Sequence, residues 1–180
     1  MLIVDLSLFH FRYEIYGEMN THQARIAYYK LTPDGFKPLQ ALENYLSQCG
    51  LEKSLLELVK LRASQINGCA YCIDMHSKDA LAAGETTQRL LSLNAWSETP
   101  FYTDRERAAL AWCETVTHIF ETHAPDEAFA AVSEHFNEVE LVNLTLAIAA
   151  INSWNRIAIS FRTVPGSYQP RRPTPDKALA

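Results

Sequence analysis

The sequence predicts a single all-α domain. Three observations carry that prediction. Apolar residues recur at helical spacing, helix start and stop signals punctuate them, and no convincing period-2 strand occurs between Met19 and Thr163. At 180 residues one domain is the simplest partition, and a chain of that length buries a core without staples. Hydrophobic residues make up 48% and charged residues 21%, an ordinary globular balance. The formal net charge is −5, and no Lys/Arg run appears before Arg171-Arg172, which argues against a general nucleic-acid binder.

The elements follow in order. Met1 to Phe11 is apolar, but Asp5 interrupts it, no basic stretch precedes it and no small-residue cleavage site follows, so it does not read as a signal peptide. A second methionine, Met19, marks where the compact domain is expected to begin. Residues 1–18 then read as an N-terminal extension or a start-site artefact, with room for one short strand in Met1 to Tyr16. Pro33-Asp34-Gly35 is a turn signal. Pro38 suits the first turn of a helix that runs through Leu39, Leu42, Tyr45 and Leu46 to Gly50. A second helix is expected from Leu51 to Ile66, with Leu55, Leu58, Val59 and Ile66 on its apolar arc, Leu56 at the margin and Asn67-Gly68 ending it.

The third helix starts at Cys69 and stops near Gly84, and Thr86 to Ala95 is the fourth. Thr103-Asp104-Arg105-Glu106 is a capping box that opens a long helix through Leu110, Trp112, Val116 and Ile119. Asp126 to Phe136 and Leu141 to Phe161 complete the set. In the last of these, Asn143, Asn152, Asn155 and Arg156 favour a buried helix over a membrane span, and the chain reads as cytoplasmic. The domain is thus placed at residues 19–163. Residues 164–180 carry Pro165, Pro170, Pro173 and Pro175 without apolar periodicity and read as an arm or a frayed tail.

Chemistry concentrates at Cys69-Ala70-Tyr71-Cys72 and His76. The chain has four cysteines, too few for a disulfide framework at this size, so the close pair reads as redox or metal chemistry. Cys49 and Cys113 sit in apolar helical patterns as buried hydrophobic thiols. Stepping about 100° per residue from Cys69 puts Cys72 and His76 on one face, continued by Asp79, Ala80 and Ala83, with Tyr71, Asp74 and Lys78 opposite. A helix start stabilises a thiolate through its free N–H groups and dipole. His76 lies one turn from Cys72, with β-carbons about 6 Å apart, and roughly 10 Å along the axis from Cys69. Helical geometry therefore makes Cys72 the thiol that His76 serves most directly.

Three readings compete for this motif. A catalytic dithiol ranks first, because pair, base and helix start coincide. A zinc site needs a fourth ligand, for which Cys113 or His118 are the candidates, at spacings that match no standard finger. Inert buried thiols beside an incidental histidine are the third. An excluded case is the ordinary thioredoxin arrangement, which needs a βαβ context. Glu57 projects near Lys53, Lys60 and Ser64, away from the apolar arc, and by periodicity alone reads as a surface glutamate paired with those lysines.

Glu57, eleven residues, Cys69-x-x-Cys72, three residues and His76 form a pattern that resembles the active-site signature of alkyl hydroperoxidase D (AhpD)-like proteins of the carboxymuconolactone decarboxylase superfamily. The string from Leu61 to His76 resembles that family throughout, as does Asn152-Ser153-Trp154-Asn155-Arg156, and the likeness covers roughly Met19 to Thr163. The resemblance implies a helical fold assembling into trimers or hexamers. It implies thiol peroxidase activity in which the cysteine pair reduces a hydroperoxide, closes to a disulfide and is reopened by an external dithiol, such as a lipoyl-type one. It places Glu57 and His76 in a proton relay, reversing the surface reading of Glu57, and it calls for no cofactor or metal. The pattern departs at Tyr71. In the best-studied peroxidase branch that position holds a histidine that joins the relay, and a phenol with a pKa near 10 is a poor base. A general disulfide oxidoreductase, a zinc-stabilised helical module and a decarboxylase-type lyase using His76 as base are the alternatives. The decarboxylase branch usually lacks this cysteine pair.

Overall fold

A computed structural model describes residues 23–170, and among them every regular element is helical. The expectations for residues 1–18, the short strand included, lie outside the described residues, as does the chain beyond Pro170.

Helix α1 (Tyr28–Leu31) is a single turn, and α2 (Pro33–Leu46) follows directly. Helix α2 starts at Pro33 rather than Pro38. Pro33 takes the first helical position, where its missing N–H costs nothing, and Asp34 sits at the positive end of the helix dipole and pairs with Lys37 at 2.6 Å. The expected Pro33-Asp34-Gly35 turn is therefore absorbed into a first helical turn, and Pro38 lies inside the helix. Helix α2 also stops at Leu46, short of Gly50.

Helix α3 (Lys53–Asn67) ends at Gly68, whose φ of 70° is left-handed; Cys69 N–H then donates to the Ser64 carbonyl at 3.0 Å. Helix α4 (Ala70–Ala82) follows at once. Thr86 caps α5 (Thr87–Ser92), accepting from the Arg89 N–H, and the chain tightens into a 3₁₀ stretch over Leu93–Glu98. The Thr103–Glu106 capping box is present and opens α6 (Asp104–Thr117). That helix breaks at His118 before the single turn of α7 (Ile119–Thr122), so Ile119 does not continue it. Helix α8 spans Asp126–Ser133 and α9 spans Glu138–Phe161. A second capping box, Asn137 with Glu140, starts α9 ahead of the first apolar residue of its expected range.

Helix α3 is the centre of the molecule. It packs on α4, α6, α9 and the 3₁₀ stretch, so it has little solvent-facing side. Leu55, Leu56, Leu58, Val59, Leu61 and Ala63 are all buried along it, and so are Glu57, Lys60 and Ser64. Cys69 and Cys72 belong to the same apolar cluster as Leu55, Val59 and the α9 residues Leu144, Ile148 and Ile151. Cys113 is buried as expected, while Cys49 is only partly so.

A polar network ties the start of α4 to the rest. Asn67 donates to the amide oxygens of Asn152 (2.9 Å) and Asn155 (2.8 Å), Asn155 donates to Ser64 Oγ (3.1 Å), and Asn152 donates to Thr117 Oγ1 (3.1 Å). Asn152 and Asn155, two of the residues that argue against a membrane span, thus fasten α3, α6 and α9 together. Among the described residues no helix is long and apolar enough to cross a membrane.

Residues 164–170 form no helix, but they do not fray. Gly166 N–H donates to Asp74 at 3.0 Å, and Lys78 donates to the carbonyls of Gly166 (3.4 Å) and Tyr168 (3.1 Å). The segment is a strap across α4, because two charged side chains of that helix satisfy its backbone.

Candidate active site

Cys69 occupies the N-cap of α4, and its sulfur accepts from the Cys72 N–H at 3.3 Å. The two cysteines form a disulfide, with Cα atoms 5.4 Å apart. The turn that makes this possible is the left-handed Gly68, which aims Cys69 back over the first turn of α4. Both sulfurs sit where free helical N–H groups favour a thiolate once the bond opens.

Below them, His76 Nδ1 lies 2.8 Å from Glu57 Oε2. Glu57 is 9% exposed and His76 5%, so periodicity misplaced the glutamate: a helix surrounded on most sides has no surface face for it. Burial pushes the Glu57 carboxyl up, but the hydrogen bond and charge of His76, with Lys60 and Lys53, outweigh it and hold it below its ordinary 4.5. A carboxylate only accepts, so Nδ1 is the donor and Nε2 is the ring nitrogen left to take a proton. Lys60 does not pair with Glu57 directly. Its ammonium reaches Glu43 of α2 at 2.6 Å.

A cavity of about 480 Å³ opens onto this group. Cys72, His76, Glu57, Lys60 and Asp79 line it, together with the aromatic rings of Tyr28, Tyr29, Tyr71 and Trp154. Cys72 is the cysteine that faces it. Tyr71 was expected opposite the cysteine face; instead it closes one edge of the cavity, because the lining arc of α4 is wide enough to take in Tyr71, Met75 and Asp79. Burial, then the nearby Tyr28, Asp74 and Asp79, raise the Tyr71 phenol above 10.0, so it is a hydrogen-bond donor at neutral pH and no base.

Cys113 and His118, the candidate fourth ligands of a zinc site, are otherwise engaged. Cys113 donates its S–H to the Val59 carbonyl at 3.4 Å, and burial pushes its thiol up to about 12. His118 pairs with Glu121 at 3.8 Å. One donor atom each of Glu57, His76 and Asp79 lie within 4.8 Å of one another, a set that would suit a divalent cation. Glu57 and His76 already satisfy each other, however, and Asp79 accepts from Tyr168. The approach of Asp79 was foreshadowed by its place on the His76 face. Nothing in the sequence pattern signalled Tyr168.

Fold and site together define a class: an all-helical domain with a CxxC pair at a helix start, set over a buried Glu–His pair. The model of the carboxymuconolactone decarboxylase family matches residues 33–115. The chain belongs to that family and is AhpD-like. It is 46% identical over 136 residues to the uncharacterized protein YdfG of Bacillus subtilis (strain 168), spanning 76% of this chain and 92% of the relative. A protein of unknown function from Agrobacterium tumefaciens, described provisionally as an antioxidant defence protein AhpD, has the same fold with a TM-score of 0.78 and 48% identity, over 81% of this chain and all of that one. An alkyl hydroperoxide reductase AhpD of Rhodopseudomonas palustris (strain BisB18) is 44% identical over 50 residues, 28% of each chain.

Proposed function

We propose that the protein is a thiol-dependent hydroperoxide reductase. One observation carries the reading: Cys72, of the Cys69–Cys72 pair, faces a cavity that it shares with the hydrogen-bonded Glu57–His76 pair. In the reduced protein His76 Nε2 takes the Cys72 proton while Glu57 holds the ring from the other side. The Cys72 thiolate attacks the distal peroxide oxygen. An S–O bond forms, the O–O bond breaks, and the alkoxide leaves with a proton as the alcohol. Cys69 then attacks the sulfenic sulfur, the S–O bond breaks, water leaves, and the disulfide closes. An external dithiol, of the lipoyl type or another, returns two electrons and two protons and leaves as its own disulfide. The cycle needs no metal or flavin.

Tyr71 takes the position of a relay histidine and, as a protonated phenol, supplies a hydrogen bond to the leaving oxygen rather than a proton acceptor. The same reading includes assembly of identical copies. Phe129, Val139 and Val142 are exposed beside an apolar cleft between α8 and α9, a surface suited to a second copy.

The test is anaerobic thiol counting before and after one equivalent of organic hydroperoxide, with peptide mapping. Loss of two thiols to a Cys69–Cys72 disulfide is expected, and Cys69→Ser and Cys72→Ser should each abolish turnover. Full turnover by Cys72→Ser would end this reading. If the pair exchanges with dithiols but ignores peroxide, the protein is a disulfide oxidoreductase instead.

A further inference from the structure

The strap after α9 reaches the proton relay. Val164 to Ser167 and Gln169 are exposed, while Tyr168 is half-buried. Its hydroxyl donates to Asp79, 2.7 Å from Oδ1 and 2.9 Å from Oδ2. Asp79 stands one turn beyond His76, lines the same cavity as Cys72, and brings a carboxylate oxygen within 4.8 Å of both Glu57 and His76. Such a placement has a physical cost, because two carboxylates this close repel each other when both are ionised. The Tyr168 hydroxyl offsets part of that cost at Asp79, and Lys60 and Lys53 offset part at Glu57.

The strap is held at three further points, the Gly166 N–H on Asp74 and the two carbonyls on Lys78. Asp74, Lys78 and Asp79 thus fix the backbone and the ring of one short segment from one helix. Burial, followed by the hydrogen bond to Asp79 and its charge, drives the Tyr168 phenol well above its ordinary range, so it remains a donor throughout.

We propose that Asp79, fixed by Tyr168 of the C-terminal strap, is a positioning residue of the relay: a second carboxylate that steadies His76 when it carries the Cys72 proton. The imidazolium formed with the Cys72 thiolate then lies near two anions, of which Glu57 is the hydrogen-bonded partner and Asp79 the outer one. The charge developing during proton transfer is met by groups already in place, with no side chain to reorganise. This inference rests on the thiol-relay reading above, and Tyr168 acts through Asp79 rather than on the thiol.

The test compares Asp79→Asn, Tyr168→Phe and the double variant with the natural protein, each checked for an unchanged thermal melt. Two rates are measured on the reduced proteins: alkylation of Cys72 by iodoacetamide at neutral pH, and turnover with an organic hydroperoxide and excess dithiol. A relay acid or base is worth about 10²-fold or more, so a residue that only positions one should cost roughly tenfold as Asp79→Asn and less as Tyr168→Phe. Both rates should fall, the KM for peroxide should stay within about twofold, and the double variant should be no slower than Asp79→Asn, as expected of two residues acting as one unit. Faster alkylation in Asp79→Asn, the result of simply removing a negative charge near the thiol, would overturn the proposal. So would additive losses in the double variant, or a change confined to KM. If the natural protein is alkylated but does not reduce peroxide, the peroxidase reading fails while the alkylation series still decides the role of Asp79.

Discussion

At Glu57 opposed effects meet in one side chain. Burial alone favours the neutral acid, whereas His76, Lys60 and Lys53 favour the carboxylate and prevail. The sign of the consequence follows from linkage. A carboxyl held below its ordinary 4.5 in the folded state contributes stability that is present above that value and is lost as pH falls through the lower, folded-state value. Denaturant unfolding at a series of pH values should therefore show a stability difference between the natural protein and Glu57→Gln near neutrality that shrinks below about pH 4.5. A difference independent of pH would contradict the ionised Glu57. The residue also marks where sequence reading reached its limit. The pattern of Glu57, the cysteine pair and His76 was visible through its family spacing, while helical periodicity pointed the other way. Burial of Glu57 depends on the four elements packed around α3, of which only α4 is adjacent in sequence.

Among the elements, the junction of α3 and α4 decides the geometry of the thiols. Gly68 adopts φ 70° and ψ 31°, and a β-carbon there would meet nothing within 4 Å. The cost of Gly68→Ala is then conformational rather than steric, roughly 1 kcal/mol. It should appear as a lowered unfolding free energy, together with slower closure of the Cys69–Cys72 disulfide, because Cys69 is the next residue. Unchanged closure would show that the N-cap position of Cys69 does not depend on this turn. Most helix boundaries here were legible from local signals: the Asn67-Gly68 stop, the Thr103 capping box and the start of α4 at the cysteine pair. One boundary carries two competing local signals. Pro33-Asp34-Gly35 carries turn chemistry, yet a proline at the first helical position followed by an acid is equally a helix start, and tertiary packing chose between them. At α9, Asn137 and Glu140 have the standard capping-box spacing, a local signal that starts the helix ahead of Leu141.

For the whole molecule, the expected assembly of copies gives a direct measurement. Sedimentation velocity at micromolar concentrations should show a trimer or hexamer. Val142→Glu, which places a charge on the exposed apolar side of α9, should shift the distribution toward monomer without lowering the helix content. A protein that is monomeric throughout would remove this part of the functional reading. The sequence by itself determined the all-helical class, the dithiol at a helix start and the histidine on its face, because these depend on residue type and on spacings shorter than a few helical turns. Only the tertiary structure decided that Glu57 is buried against His76, that Tyr71 turns toward the cavity, and that the chain after Thr163 returns to place Tyr168 on Asp79. Those contacts join residues 19 and 89 positions apart, beyond the reach of helical periodicity, and only the family spacing linked the first pair in the sequence. The cysteine pair announces the chemistry, and the packing of α3, α4 and the strap supplies the charges around it.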